Sequence, residues 1–338
     1  MTLNRRIVLA SRPQAEARLD NFRLETVPLP ALQDGQVLVR HHFLSLDPYM
    51  RGRMNDSKNY AAPQPLDAVM IGGTVGEVAD SKHPAFAVGD KVVGMGGWQE
   101  WSVVDAGTPG VLRKVDVSGV PLSAYLGTVG MPGVTAWVGL SHIIEAKQGQ
   151  TIVVDAASGA VGSVVGQLAK ARGCRAVGIA GGADKCAYVV EELGFDACID
   201  HKAHRDVESL GAALDAAAPQ GVDGCFENVG GVIFDAVLSR MNAFGRVAIC
   251  GLISGYDGQA LGIANARVLL TQRLCLQGFI VSEHMPLWPL ALKELGGLVA
   301  TGRLKYRETI APNLEAAPAA FLGLLKGANF GKQLVKLL

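Results

Sequence analysis

Charge of one sign is what this chain lacks. Its 31 Lys and Arg face 31 Asp and Glu over 338 residues, a formal net charge of zero. A nucleic-acid binder needs a basic face, and this balance offers no excess to build one. Long hydrophobic runs are missing too. No uninterrupted apolar stretch reaches the ~18 residues that mark a membrane span, although 49% of the residues are hydrophobic. That apolarity therefore belongs to a large core. Residues Met1 through Val8 hold no long apolar segment or cleavage site, so the expected compartment is the cytoplasm.

The first half contains no cysteine. The six are Cys174, Cys186, Cys198, Cys225, Cys250 and Cys275, with no C-x-x-C pair among them. This spacing excludes a zinc ribbon, and the residues read as reduced core thiols. There is no H-E-x-x-H. His41 and His42 are adjacent on a predicted strand, so their side chains point to opposite faces and cannot chelate together. No metal is expected. None of the six tyrosines has Lys four residues on, which removes the acid–base pair of a short-chain dehydrogenase. Acid–base chemistry has to come from elsewhere.

What is present centres on Thr151 through Gly178. Thr151-Ile152-Val153-Val154-Asp155 is a short apolar run, followed by Ala156-Ala157-Ser158-Gly159-Ala160-Val161-Gly162. Then Val161, Val164, Val165, Leu168 and Ala169 recur on one helical face. Gly173 closes that helix, and Arg175 through Ala180 reads as a second strand. This is a βαβ unit. A pyrophosphate can reach the free N–H groups of a helix N-terminus only if no side chain intervenes. Gly159 stands where the backbone would approach the phosphates, and Gly162 where the helix packs on the sheet. Ala157 holds the first position of G-x-G-x-x-G, so a ligand-free tight turn fits the loop as well.

Two patterns divide the chain. Up to about residue 125, short β-rich runs at Arg6–Leu9, Phe22–Val27, Val37–Leu46, Gly72–Val78, Lys91–Gly94 and Trp98–Val104 alternate with turn residues, a barrel-like pattern. Residues 47–70 show little periodicity and read as a binding loop. From about Leu126, strands and helices alternate: helices at Lys185–Leu193, Val207–Ala218 and Val232–Met241, and strands at Ala197–Asp200, Asp223–Asn228, Arg246–Gly251 and Leu274–Val281. Six strands so interleaved predict a doubly wound parallel sheet, an α/β fold. Pro286–Gly302 reads as the helix returning to the first domain, with strand-like Lys305–Ala311, helix-like Leu314–Lys326 and a last run at Gln333–Leu337. The expected domains are 1–125 with 298–338, and 126–297 inserted between them.

The second strand of the βαβ unit ends in Ile179-Ala180-Gly181-Gly182, without the acid that would bind the ribose hydroxyls of NAD. Asp184 lies at a predicted helix start, where an N-cap is its ordinary role. Lys185 can neutralise a 2′-phosphate as a point charge; a solvated surface lysine is the other reading. The spacing favours NADP.

Six segments in order resemble the medium-chain dehydrogenase/reductase superfamily. They are Leu44 through Arg51 (LSLDPYMR), Gly127 through Gly133 (GTVGMPG), Ala156 through Lys170, Phe226 through Gly231 (FENVGG), Arg246 through Gly251, and Leu325 through Lys332 (LKGANFGK). The likeness is to the zinc-independent branch of leukotriene B4 12-hydroxydehydrogenases, prostaglandin reductases and NADPH-dependent alkenal or curcumin reductases. Where zinc-dependent members carry Gly-His-Glu, this chain reads Ile71-Gly72-Gly73-Thr74-Val75-Gly76-Glu77. The resemblance implies a Rossmann sheet inserted into a GroES-like β-barrel catalytic domain, with NADP(H) as cofactor and a homodimer paired along the run Leu274 through Val281. It implies that Gly159, Ala160, Val161 and Gly162 hold the pyrophosphate and that Lys185 meets the 2′-phosphate. His201 stands where the family usually has Tyr near that phosphate. Asn228 and Asn329 would bind the ribose and nicotinamide side. Cys250, Gly251, Leu252, Ile253 and Ser254 would line the cofactor, with Phe279, Ile280 and Val281. Tyr49 would face the substrate, a hydrophobic enone or enal, and the apolar Met131-Pro132-Gly133 turn suits one.

The resemblance places Tyr256 beside the nicotinamide. Hydride added to the β-carbon of an enone leaves an enolate, and a phenol can stabilise that oxygen or supply the proton. The other reading is a tyrosine that packs on the cofactor while a ribose hydroxyl or water does this work. The implied activity is NADPH-dependent reduction of the C=C bond of α,β-unsaturated aldehydes or ketones. A quinone reductase, an alcohol or ketone dehydrogenase, and a non-catalytic NADPH-binding protein are the alternatives.

Overall fold

The computed structural model describes residues 3–108 and 110–338. The chain forms two compact units, Met1–Gly127 with Glu308–Leu338, and Thr128–Arg307.

The first unit is built on strands β1 (Leu3–Leu9), β2 (Phe22–Pro28), β3 (Gln36–Ser45), β4 (Thr74–Ser81), β5 (Lys91–Gly94), β6 (Trp101–Asp105) and β7 (Leu112–Lys114). Helix α1 (Tyr49–Arg53) lies in the segment expected to be a binding loop. β3 organises the unit. Val37, Val39 and His41 alternate inward along it, the period-2 pattern of a half-buried strand. Its first half pairs with β6, its second half with a strand from the far end of the sequence, and both halves with β4. The register against β4 shifts between His41 and Phe43, a bulge that lets one strand serve both partners. Trp98, Phe22 and Phe321 fill the adjoining core, with Trp98 stacked on Phe22 at 5.4 Å between ring centroids. Trp98 belongs to no strand; it bonds Met70 through its backbone.

The second unit begins with helix α2 (Met131–Val138). It continues through β8 (Thr151–Val154), α3 (Gly162–Ala171), β9 (Arg175–Ala180), α4 (Ala183–Ala187), β10 (Ala197–Asp200), α5 (Val207–Ala217), β11 (Val222–Glu227), α6 (Gly231–Leu238), β12 (Met241–Ile249), α7 (Arg267–Thr271), β13 (Cys275–Gly278) and α8 (Trp288–Ala300). The strands lie in the order β10-β9-β8-β11-β12-β13, all parallel. This is the doubly wound order, with the switch point between β8 and β11. Separate apolar clusters cover its two faces, one around Phe226, Val154 and Leu168 and one around Val153, Phe234 and Val247. All four residues of β8 are buried, as a central parallel strand requires.

Three local expectations need correction. Met131-Pro132-Gly133 is no turn but the first turn of α2, where proline is favoured because its missing N–H has no partner to lose. Gly133 is required there: a Cβ would lie 1.8 Å from the Thr128 carbonyl oxygen. Asp184 is not a cap. Gly182, at φ +111°, is the residue before α4, and Asp184 sits in the helix's first turn. β12 starts at Met241 rather than Arg246, across Phe244 at φ +65° and a register shift against β11. The chain returns to the first unit at Glu308, with β14 (Glu308–Ala311), α9 (Ala317–Leu325) and β15 (Lys332–Lys336). β15 is the strand that completes the pairing of β3.

Candidate active site

The loop between β8 and α3 folds tightly on itself. Ala156 adopts φ +44°, and its carbonyl accepts from the Gly159 N–H at 2.8 Å. A Cβ on Gly162 would lie 2.5 Å from that carbonyl oxygen and one on Gly159 3.0 Å from it. Gly162 is therefore demanded by the fold, and Gly159 nearly so. Ala157 is fully buried and replaces the first glycine of the fingerprint without exposing itself. Val161 precedes α3, and no side chain caps this end. The first-turn N–H groups of a helix have no intrahelical acceptors, so Gly159, Ala160, Val161 and Gly162 border a place suited to an anion.

One strand along, the backbone of Gly181 and Gly182 approaches β10's C-terminal end. Asp200 accepts from the N–H groups of Gly182 at 2.8 Å and Lys202 at 2.9 Å. A Cβ on Gly181 would meet the His201 ring nitrogen at 2.9 Å and the Lys202 side chain at 3.2 Å. Lys185, half-buried on α4, is held below the usual lysine range by burial and then by the positive charge of Lys202. Burial likewise holds the His201 imidazole below its ordinary value, against the pull of Asp200. Two ammonium groups that repel each other beside a glycine-lined backbone are matched by a dianion. Lys202 was absent from the sequence-based set; its adjacency to His201 was the available signal.

The C-terminal ends of β11 and β12 carry the third cluster. The backbone of Asn228 donates to Asp155 at 2.7 Å and its amide side chain to the same oxygen at 2.9 Å. The segment Cys250 through Tyr256 is tied to this turn: Cys250 and Gly251 donate to the Glu227 carbonyl, Ile253 to Asn228 and Ser254 to Val229. Ser254 adds a hydroxyl bond to Val229 at 2.6 Å. The Tyr256 hydroxyl folds back over Gly251, where a Cβ would be 3.2 Å away. Burial pushes the Cys250 thiol up to about 12, so it stays a neutral lining group. Phe279 is buried edge-on against Phe226, at 6.2 Å between centroids, and Ile280 and Val281 follow it half-buried. Met131 is half-buried at the start of α2.

Tyr49 and Asn329 belong to the other unit. Tyr49 opens α1, and burial, then the charge of Asp47, raises its phenol above the usual range. Lys332 holds the preceding turn. Its ammonium reaches Asp47 at 2.6 Å and the Leu46 carbonyl at 2.8 Å, with the two side chains 5% and 8% exposed. Ser45 donates to the same carboxylate. The Asn329 amide donates to the Gly331 carbonyl at 2.7 Å, closing its own turn. His41 lies inside the unit, its Nε2 at 2.8 Å from the Ser102 hydroxyl, and His42 lies against Glu77 at 3.7 Å. Among the described residues no group of three or more His, Cys, Asp or Glu is arranged to hold a metal. No helix there is long and apolar enough to cross a membrane.

The glycine backbone, the open helix end and the lysine pair fit a phosphorylated dinucleotide. Comparison with known proteins agrees. Residues 5–111 match the family described as N-terminal domain of oxidoreductase, and residues 160–296 the family described as zinc-binding dehydrogenase. The NADPH-dependent curcumin reductase of Escherichia coli is 45% identical over 98% of this chain and 96% of its own length. The NADP(+)-dependent 2-alkenal reductase of Nicotiana tabacum is 42% identical over 88% and 86%. The crystal structure of CurA from Vibrio vulnificus in complex with NADPH superposes with a TM-score of 0.92, at 44% identity and 99% coverage of both chains. On identity sustained across both units, this chain belongs to the medium-chain dehydrogenase/reductase superfamily, in the zinc-independent branch of the prostaglandin, alkenal and curcumin reductases.

Proposed function

We propose that this protein reduces the C=C bond of hydrophobic α,β-unsaturated aldehydes or ketones with NADPH. The observation that carries the reading is the Tyr256 hydroxyl, folded over Gly251 at the C-terminal rim of the parallel sheet, where such sheets receive ligands. When bound, NADPH supplies a hydride to the β-carbon of the substrate. Ala160, Val161 and Gly162 give backbone N–H groups to its pyrophosphate, Gly159 lets the backbone come close to it, and Lys185, His201 and Lys202 receive its 2′-phosphate. Asn228, the Cys250–Ser254 segment and Phe279 through Val281 border its nicotinamide side, and the family resemblance assigns Asn329 to the same cofactor. Tyr49 and Met131 contact the substrate. Tyr256 donates its O–H to the substrate oxygen as negative charge gathers there. The α-carbon then takes a proton from Tyr256 or water, which completes a saturated carbonyl.

The test follows NADPH consumption with a short enal and a bulky enone, and identifies the product. A saturated carbonyl is expected; an allylic alcohol would show carbonyl reduction instead. Tyr256→Phe should lower kcat about 100-fold or more, the effect of losing one oxyanion donor. An unchanged rate would remove Tyr256 from the donor role. We further infer a homodimer joined along β13, most of whose residues are exposed and which, among the described residues, pairs only with β12. A monomer mass at micromolar concentration would rule this out. The six cysteines, all free thiols, support a cytoplasmic setting.

A further inference from the structure

Glu227 ends β11 and Asp155 follows the adjacent β8, at 0% and 1% exposure. Among the described residues neither enters an ion pair, and both accept from the one Val229 N–H, Asp155 at 3.0 Å and Glu227 at 2.8 Å. Two buried carboxyls this close, with no cation beside them, cannot both ionise, so one carries a proton. Their remaining partners decide which. Asp155 accepts from Asn228 twice on one oxygen and from the Val229 N–H at 3.0 Å on the other. Glu227 accepts from Val229 at 2.8 Å and Gly230 at 2.6 Å, both on Oε1. Its Oε2 has only the Cys225 sulfur, at 4.0 Å. Oε2 is therefore the oxygen left to hold the proton.

We propose that Asp155 and Glu227 share a single proton, and that this neutralised pair positions the rim that receives the nicotinamide end of the cofactor. The assignment of that end rests on the function proposed above. The mechanical link is continuous. Asn228, Val229 and Gly230 hang on the two carboxyls, and the segment carrying Tyr256 hangs on Asn228 and Val229. Loss of the proton would set two charges against each other beneath both. The other titratable groups facing the pair are the Cys225 and Cys250 thiols, which burial keeps protonated, and His201, which feels Asp155. Burial and the neighbouring Asp155 push Glu227 well above the usual carboxyl range, in accord with the geometry.

The two acids differ in what an amide can replace. In Glu227→Gln, the new N–H takes the place of the protonated oxygen and the amide oxygen keeps its backbone donors. In Asp155→Asn, the amide oxygen keeps the Asn228 donors and Val229 keeps Glu227, but the new N–H is set donor to donor against the Val229 N–H. The experiment measures NADPH binding to the full-length protein by fluorescence titration from mildly acidic to alkaline pH, with 13C NMR of the side-chain carboxyls. In wild type, one buried carboxyl should keep a protonated signal at neutral pH, and affinity should fall as that proton leaves. Glu227→Gln should bind as wild type at neutral pH and lose the alkaline fall. Asp155→Asn should bind roughly tenfold more weakly. Equal weakening in both variants, or two ionised buried carboxyls at neutral pH, overturns the proposal. Should wild type not bind NADPH at all, the functional reading and the positioning role fail together, while the carboxyl signals still decide whether the proton is shared. Should a variant not fold, the wild-type signals and pH profile decide alone.

Discussion

The β unit buries His41 and the nucleotide unit buries Glu227, each in its uncharged form. His41 is held down to about 3 by burial and the neighbouring His42, while Glu227 is held well above its ordinary 4.5 by burial and Asp155. The consequences for stability have opposite sign. Below 6.5 the unfolded chain gains a proton at His41 that the folded chain refuses, so stability falls with falling pH toward 3. Above 4.5 the folded chain keeps a proton at Glu227 that the unfolded chain has lost, so stability falls with rising pH toward the raised value. Another buried acid, Asp47, lies 2.6 Å from an opposite charge, the Lys332 ammonium. What differs is the partner each fold supplies: a hydroxyl, a second acid, or a cation.

The largest expected effect comes from breaking the arrangement that keeps its charges. Lys332→Met should destabilise the β unit by about 3–5 kcal/mol, because it leaves a buried carboxylate without compensation. Adding Asp47→Asn should recover much of that loss. Urea unfolding of the single and double variants checks both. Next come the pH slopes. Wild type should lose at most ~1.4 kcal/mol per pH unit from His41 on the acid side. His41→Gln should flatten the acid slope alone and Glu227→Gln the alkaline slope alone. Denaturation midpoints across pH would break the comparison if either variant flattened both sides. The smallest effect on stability belongs to the lysines near Gly181. Lys185→Met should change the stability of the free protein little, since it relieves repulsion from Lys202. It should still weaken NADPH binding about tenfold or more, as losing a bond to a charged group does. NADH binding should not change.

Elements with a clear period were legible in the sequence. β5 and β10 fall where alternation and turn residues put them, and β8-α3-β9 follows from the glycines and the 3.6-residue repeat. α2 was hidden because it is apolar all round: every residue from Pro132 to Val138 is buried, so no face stands out. α1 is too short, at five residues, to show a period. Phe244 at positive φ interrupts β12 in a way side-chain type does not announce. The glycine loop could be read locally. The Asp155–Glu227 pair could not, because only the order of the folded sheet makes β8 and β11 neighbours.

The three partners of β3 carry a consequence for how the chain is made. β15 pairs with β3 across nearly the whole sequence, Leu334 against Ser45, and the complete nucleotide unit is translated in between. During synthesis the nucleotide unit can therefore close first, from contiguous residues, while β3 leaves the ribosome with the site for β15 unfilled. The usual N-terminal-first sequence of events is inverted. The second half of β3 stays a strand edge of the nascent chain until Lys332–Lys336 arrives.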